Sequence, residues 1–297
     1  MERLAISKNA RSSGISQLTP ERVQPRKPPP PRVTSANKFI RHLLSFRVQV
    51  ALVWAGFVCL FTLFSLSFDL KFSIIVEKFP YLAGLYLTPR GFLQGAALTL
   101  FISAISVTVA VAIGSCSALA RLSNSALGVG TATFYVSFFR GTPLLVQVLL
   151  VYLGLPQIGI IIDAIPAGII ALSLNYGAYL SEIIRTGIQS ISRGQREAAA
   201  ALGLRPWVIM WKIILPQAMR IIIPPTGSQF IAMLKDSSLV SIMGVWEIMF
   251  LARSYGRSEY RYIEMLLTAA VVYWVLSICL ELVQARLERR FGRGYQS

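Results

Sequence analysis

The chain has 297 residues, 55% of them apolar and 14% charged, with a formal net charge of +16 and a mean hydropathy of +0.61. That balance excludes a soluble enzyme and describes a polytopic helical membrane protein. The basic excess does not signal nucleic acid, because Lys and Arg cluster beside the apolar stretches, as the positive-inside bias requires.

Residues 1–46 are polar and basic, with a proline tract from Pro25 to Pro31, the composition of a disordered cytoplasmic leader. Residues 47–68 form a first transmembrane anchor, too far from the start for an ordinary signal peptide and held inside by Arg32, Lys38, Arg41 and Arg47. Residues 69–91 read as an outer loop with room for an interfacial helix, and 92–120 as a second span closed by Arg121. The third apolar region, 126–155, is interrupted by Arg140-Gly141-Thr142-Pro143. A central arginine costs about 2.5–3.5 kcal/mol on insertion scales, so Arg140 is expected near an interface or against protein, with Pro143 opening a helix. Residues 167–184 form a fourth span ending at Arg185, and 187–220 a cytoplasmic loop too polar to cross. Pro224-Pro225 marks re-entry into a fifth span, 226–250, interrupted by Lys235-Asp236. Residues 252–261 read as an outer loop and 263–285 as a sixth span, closed by Arg286, Arg289, Arg290 and Arg293. The expected fold class is therefore all-α, with about six membrane helices of roughly 20 residues each and both termini inside. Arg253, Arg257 and Arg261 oppose the charge bias on the outer side.

Cys59, Cys116 and Cys279 sit in apolar spans without metal or disulfide spacing, and are read as buried thiols. His42 is the only histidine, so neither a metal site nor a catalytic triad is expected. The chain has no GxxxxGK[ST] sequence to cradle a nucleotide; no cofactor and no catalytic residue is assigned, and ATP hydrolysis is expected in separate subunits.

The loop carries the most specific pattern. Glu197-Ala198-Ala199 is followed after three residues by Gly203, and after nine more by Ile213-x-Leu215-Pro216. The alanine run favours helix and permits close approach. Gly203 permits a sharp turn, and a second helix from Pro206 presents Trp207, Trp211 and Ile214 to the membrane body. This pattern resembles the EAA coupling loop of ATP-binding-cassette importer permeases. Three further stretches, 139–147, 173–183 and 234–240, are similar to the polar amino-acid branch of those permeases, which moves histidine, glutamate, glutamine, arginine, opines or cystine. The resemblance implies a type I importer permease fold over 91–290, with a coupling loop over 187–220 whose ATPase-coupling residues are Glu197, Ala198, Ala199, Gly203, Leu215 and Pro216. It also implies two ABC ATPase subunits, a periplasmic amino-acid-binding protein, a second permease subunit (the same chain or a relative) and a bacterial inner membrane. The span at 47–68 is an addition to the five-span core of many relatives.

Polar residues inside spans are candidate substrate-path residues, since lipid disfavours them. Asn175, Tyr179 and Glu182 share one face of the fourth helix, and Gln229 and Asp236 lie seven apart on the fifth. Hydrogen bonding between helices is the alternative for these groups. In similar permeases the position of Gln229 faces substrate; its neutrality here argues against a strictly basic cargo. The function expected is the permease of an ATP-driven importer of polar amino acids; the alternative is a self-sufficient channel or secondary transporter for small polar solutes.

Overall fold

A computed structural model of the chain describes residues 46–89 and 91–291. All regular structure among them is helical: α1 Phe46–Ser67, α2 Phe72–Leu82, α3 Gly95–Leu122, α4 Ala126–Gly141, α5 Leu144–Leu149, α6 Ala164–Gln189, α7 Arg193–Ala201, α8 Pro206–Ile209, α9 Leu215–Asp236, α10 Ile248–Ser258 and α11 Tyr262–Phe291. Wider or tighter helical turns prolong α5 to Ile158, join α8 to α9 and carry α9 on to Met243. The basic leader lies outside the described residues apart from Phe46.

The chain divides into two units, 1–67 and 68–297. In the first, α1 exposes apolar side chains on every side. Its polar groups turn inward on the helix itself: the hydroxyls of Thr62 and Ser67 donate to the carbonyls of Val58 and Leu63, each at 2.8 Å. That arrangement suits lipid, where no water completes a hydroxyl's bonds.

In the second unit, α3 and α6 pack almost backbone to backbone. A Cβ on Gly114 would lie 2.8 Å from the Leu180 Cβ and 2.9 Å from the Gly177 carbonyl oxygen, so only glycine fits. Close approach of small residues lets hydrogen bonds cross the interface: Ser181 Oγ donates to Ser117 Oγ at 3.0 Å and Ser173 Oγ to the Ser106 carbonyl at 3.2 Å. Leu98, Ile102, Leu172, Leu180, Met233 and Val240 form the core around this pair. Leu82, Ile248, Leu251 and Met265 build a second cluster from α2, α10 and α11. A third, at the other end, joins Ile188, Ala199, Ile209, Ile214, Ala218 and Ile222.

Five helical segments among the described residues are long and apolar enough to cross a membrane, or six if the bent pair Ala126–Gly141 with Leu144–Ile158, turned through 108°, is counted as one span. The interruption read at Arg140 to Pro143 is thus a true break. Three expectations need correction. The fifth helical segment begins before Pro224-Pro225 and runs through both prolines. Arg220 and Ile221, whose carbonyls lose their helical donors to those prolines, are exposed. That segment also ends at Met243 rather than at 250, turning at Gly244 with φ +82°, and the expected outer loop is largely the helix α10. Finally, all three cysteines are exposed on the surface of their helices, because in a lipid-facing protein an apolar residue need not point to the core.

Candidate functional site

The polar loop between α6 and α9 folds as a compact shelf. After α6 ends at Gln189, α7 starts at Arg193, and the Gly203 amide closes the helix end on the Ala200 carbonyl at 2.9 Å, while the Leu204 amide reaches the Ala199 carbonyl at 3.2 Å. Gly203 has φ +76°, the left-handed region that favours glycine. Pro206 sits in the first turn of α8, where a missing N–H costs nothing. One side of the shelf is fastened: Ala199 is buried against Ile188 and Ile209, and Arg196 Nη2 donates to the Ile188 carbonyl at 3.2 Å. The other side is open. Glu197, Ala198, Ala200, Ala201 and Pro216 are exposed, Leu202 is 81% exposed, and Leu215 is half-buried. Ile214 is fully buried, as its apolar helix face requires, whereas Trp207 and Trp211 stay largely exposed, rings 5.1 Å apart. They line an apolar cleft of about 590 Å³ with Leu180, Ile188 and Phe230.

The second polar centre surrounds the break between α4 and α5. Breaking a helix strands carbonyl oxygens that lipid cannot satisfy. Here Gln147 Nε2 donates to the Phe139 carbonyl at 2.9 Å, the Thr142 carbonyl at 3.1 Å and Thr142 Oγ1 at 2.8 Å. Asn175 Nδ2 adds bonds to the Phe139 carbonyl at 3.0 Å and to Gln147 Oε1 at 3.1 Å. The Tyr135 hydroxyl donates to the Leu174 carbonyl at 2.7 Å, pinning α4 to α6. Asn175 therefore makes the helix-to-helix bonds foreseen as the alternative reading of its polarity.

Further along the same face of α6, Glu182 gathers cations from three helices. Its Oε2 accepts from Arg121 Nη1 at 2.5 Å, its Oε1 accepts from Arg185 Nη2, and Arg140 Nη1 stands 4.0 Å from Oε2. The Arg140 guanidinium lies over the Tyr179 ring, 5.2 Å from its centre. Tyr176, 6.3 Å from Tyr179 between ring centres, donates its hydroxyl to Asp236 Oδ2 at 2.7 Å. Asn175, Tyr179 and Glu182 thus share one continuous polar face with the α4–α5 break, and Asp236 joins it through Tyr176. Gln229 is half-buried elsewhere on α9. Among the described residues Asp236 makes no ion pair with Lys235. Gln147, Tyr176, Arg121 and Arg185 were missed as partners in this centre. Gln147 is the one with a sequence signal, a buried amide four residues beyond a proline that breaks a span.

Beyond the end of the fifth helical segment, Glu247 caps α10, accepting from the Phe250 amide at 2.7 Å and from the Tyr273 hydroxyl at 2.5 Å. Burial pushes its carboxyl up to about 7 against these bonds, which favour the charged form.

Residues 110–293 match the family model described as "Binding-protein-dependent transport system inner membrane component". The chain is 38% identical over 223 residues to the arginine transport system permease protein ArtQ of Bacillus subtilis, covering 75% of this chain and 97% of that one. It is 37% identical over 199 residues to a putative glutamine transport system permease protein GlnP of Rickettsia typhi, covering 67% and 91%. In structure it superposes on an amino acid ABC transporter crystallised with histidines, with a TM-score of 0.67 and 37% identity over 74% of this chain and 99% of that one. The MetNI methionine ABC transporter, at 20% identity and a TM-score of 0.55, shares the fold. With a family match over more than half its length and relatives aligned almost end to end, the chain belongs to the binding-protein-dependent inner membrane components of ABC transporters, as a multi-pass permease subunit.

Proposed function

We propose that this permease imports polar amino acids across the bacterial cytoplasmic membrane, working with two ABC ATPase subunits, a second permease subunit and a periplasmic amino-acid-binding protein. ATP hydrolysis belongs to the ATPase subunits. The observation that carries this reading is the shelf between α6 and α9, a short alanine-faced helix fastened on one side at Ala199 and open on the other. An external motor needs such a handle, rigidly joined to the helices it moves. Glu197, Ala198, Ala199 and Gly203, with Leu215 and Pro216 at the start of α9, form the coupling surface of the 187–220 loop. The 91–290 region is the transport core. Residues 47–68 are an added anchor, and 1–46 a cytoplasmic leader. Asn175, Tyr179, Glu182, Gln229 and Asp236 lie along the substrate path.

The relatives named for arginine and glutamine, and the structural neighbour named for amino acids, support that cargo class. The test is uptake of labelled amino acids into proteoliposomes, with and without the ATPase, ATP and the binding protein. Uptake requires all three. Glu197→Lys, a charge reversal on the open side of the shelf, leaves membrane insertion intact and abolishes ATP-driven uptake. Uptake that proceeds on an ion gradient without the ATPase refutes the reading in favour of a secondary transporter.

A further inference from the structure

We infer that the apolar cleft beside the shelf binds an anionic phospholipid, with an acyl tail in the cleft and the headgroup among basic side chains at its mouth. The lipid belongs to the leaflet on the shelf side, the cytoplasmic one on the reading proposed above. On α3 the cleft is lined by Val107, Val111, Ser115 and Leu119, a run of about 18 Å at the rise of an α-helix. That is close to the depth of one leaflet, half of a hydrocarbon core of about 30 Å. The wall is apolar in effect even where it carries an oxygen: Thr226 turns its hydroxyl back onto the Ile222 carbonyl at 2.8 Å. Spread over the run on α3, the cleft volume gives a cross-section of about 33 Å², against about 80 Å² for a helix 10 Å across. A helix from another subunit is too thick to enter; a hydrocarbon chain is not.

The mouth has the chemistry of a headgroup site. Trp207 and Trp211 stand there, and tryptophan favours the boundary between membrane and water. Among the described residues neither indole N–H has an acceptor, so both are free to donate to a phosphate. Lys212, Arg220 and Arg286 are the chain neighbours of the lining residues Trp211, Met219 and Leu287. All three are exposed, and among the described residues none of them makes an ion pair. Glu288, on the other side of Leu287, is half-buried and accepts from Gln284 Nε2 at 2.8 Å. Unpaired cations around an apolar slot complement a ligand with a negative head and a long apolar tail. An acidic peptide answers the charge but not the slot, and a neutral phospholipid the slot but not the charge. Because α3, α6 and the run into α9 wall the cleft, a lipid seated there touches the helices that leave the shelf.

The test follows the tryptophan fluorescence of the permease–ATPase complex in detergent as phosphatidylglycerol or phosphatidylcholine, each brominated on its acyl chains, is added. Phosphatidylglycerol quenches a saturable fraction at a concentration about thirty- to a hundredfold lower than phosphatidylcholine does, roughly fivefold for each of three cations near the surface. Trp207→Phe combined with Trp211→Phe removes that fraction and leaves the quenching of Trp54, Trp246 and Trp274 as it was. Lys212→Gln combined with Arg220→Gln, both at exposed positions, lowers the preference for phosphatidylglycerol about ten- to thirtyfold. Ser115→Phe, which fills the slot, abolishes the saturable fraction. Equal quenching by the two lipids, or a preference that survives the charge variant, overturns the assignment. So does quenching that the phenylalanine variant shares with the wild type, since the cleft is then covered by the second permease subunit. A complex that shows this lipid binding but imports no amino acid with ATP and binding protein present refutes the proposed import and leaves the lipid site standing.

Discussion

Gly203 offers the sharpest test of the coupling shelf, because conformation and contact can be separated there. Its φ of +76° lies where an L-residue pays about 1–2 kcal/mol. A Cβ built at this position meets no atom within 4 Å, so the cost of Gly203→Ala is backbone strain alone. A penalty of that size lowers the population of the native turn about five- to thirtyfold. Asparagine tolerates the left-handed region far better than alanine, although it is larger. Gly203→Ala should therefore weaken ATPase binding to the permease by about that factor, with uptake restored at saturating ATPase. Gly203→Asn should stay within about twofold of wild type. Surface-plasmon binding of the ATPase to immobilised permease, with uptake in parallel, makes the measurement. If the asparagine variant is as damaged as the alanine variant, contact rather than turn geometry governs the site; if neither is damaged, the turn does not matter to coupling.

Three further outcomes follow from packing and charge. Gly114→Val forces α3 and α6 apart against Leu180 and the Gly177 carbonyl, costing about 1–3 kcal/mol, which a thermal melt of the purified protein reads as a lowered transition; an unshifted melt contradicts the close crossing. Gln147→Leu removes an amide whose two N–H groups are shared among three acceptors at the break; Asn175 still reaches the Phe139 carbonyl, so the Thr142 carbonyl is the group left unsatisfied, at about 1–3 kcal/mol. Its melt should fall further than that of Val146→Leu at an exposed neighbour. Glu247 has its carboxyl raised to about 7 from 4.5, so the native state holds a proton that the unfolded chain releases. Its stabilising contribution is fully present below about pH 4.5 and is lost as pH rises through about 7, amounting to a few kcal/mol. Glu247→Gln keeps an acceptor for the Phe250 amide and turns its NH2 toward the Tyr273 oxygen, which then accepts, and should flatten the decline in melting temperature between pH 5 and 8; an identical decline in both proteins rules Glu247 out as its source.

The spans and the shelf were legible because each rests on a local rule. Twenty apolar residues suffice for a membrane helix, Gly141-Thr142-Pro143 breaks one, and the spacing from Glu197 to Pro216 specifies two short helices about a turn. What escaped depends on neighbours distant in sequence. Pro224 and Pro225 suggested a helix start, yet a proline is tolerable inside a helix where the freed carbonyls face outward, and only the three-dimensional setting of Arg220 and Ile221 reveals that. Residues 252–261 read as a loop from their arginines, glycine and serines; Glu247 as a cap, with Ile248, Leu251, Ala252 and Tyr255 at helical spacing, held the signal for α10. Cys59, Cys116 and Cys279 could not be oriented from sequence, since lipid and core are both apolar. In the polar centre, the face shared by Asn175, Tyr179 and Glu182 follows from helical periodicity. The three arginines that converge on it come from α3, α4 and α6, a meeting that no single-helix pattern encodes.

The two polar centres are joined by the way α6 and α9 leave the shelf. A motor displaces the substrate path only if the handle and the path belong to the same stiff bodies. The helical run from Pro206 to Met243 covers 38 residues, about 57 Å at the rise of an α-helix, and carries both Gln229 and Asp236. On the other side, α6 carries Asn175, Tyr179 and Glu182 and ends only a few residues before α7. Ile188, Ala199, Ile209, Ile214 and Ala218 lock these helix ends to the shelf in one buried cluster. A push on the alanine face therefore has few places to dissipate before it reaches the centre. There, Glu182 of α6 pairs with Arg121 of α3, and Arg140 of α4 sits on Tyr179 of α6, so a shift of α6 against either neighbour bears on these contacts. A ligand favours one state of a permease over another only if it binds the two with different affinity. On the function proposed above, the cargo and the motor beneath the shelf would act on one set of helices, from opposite ends.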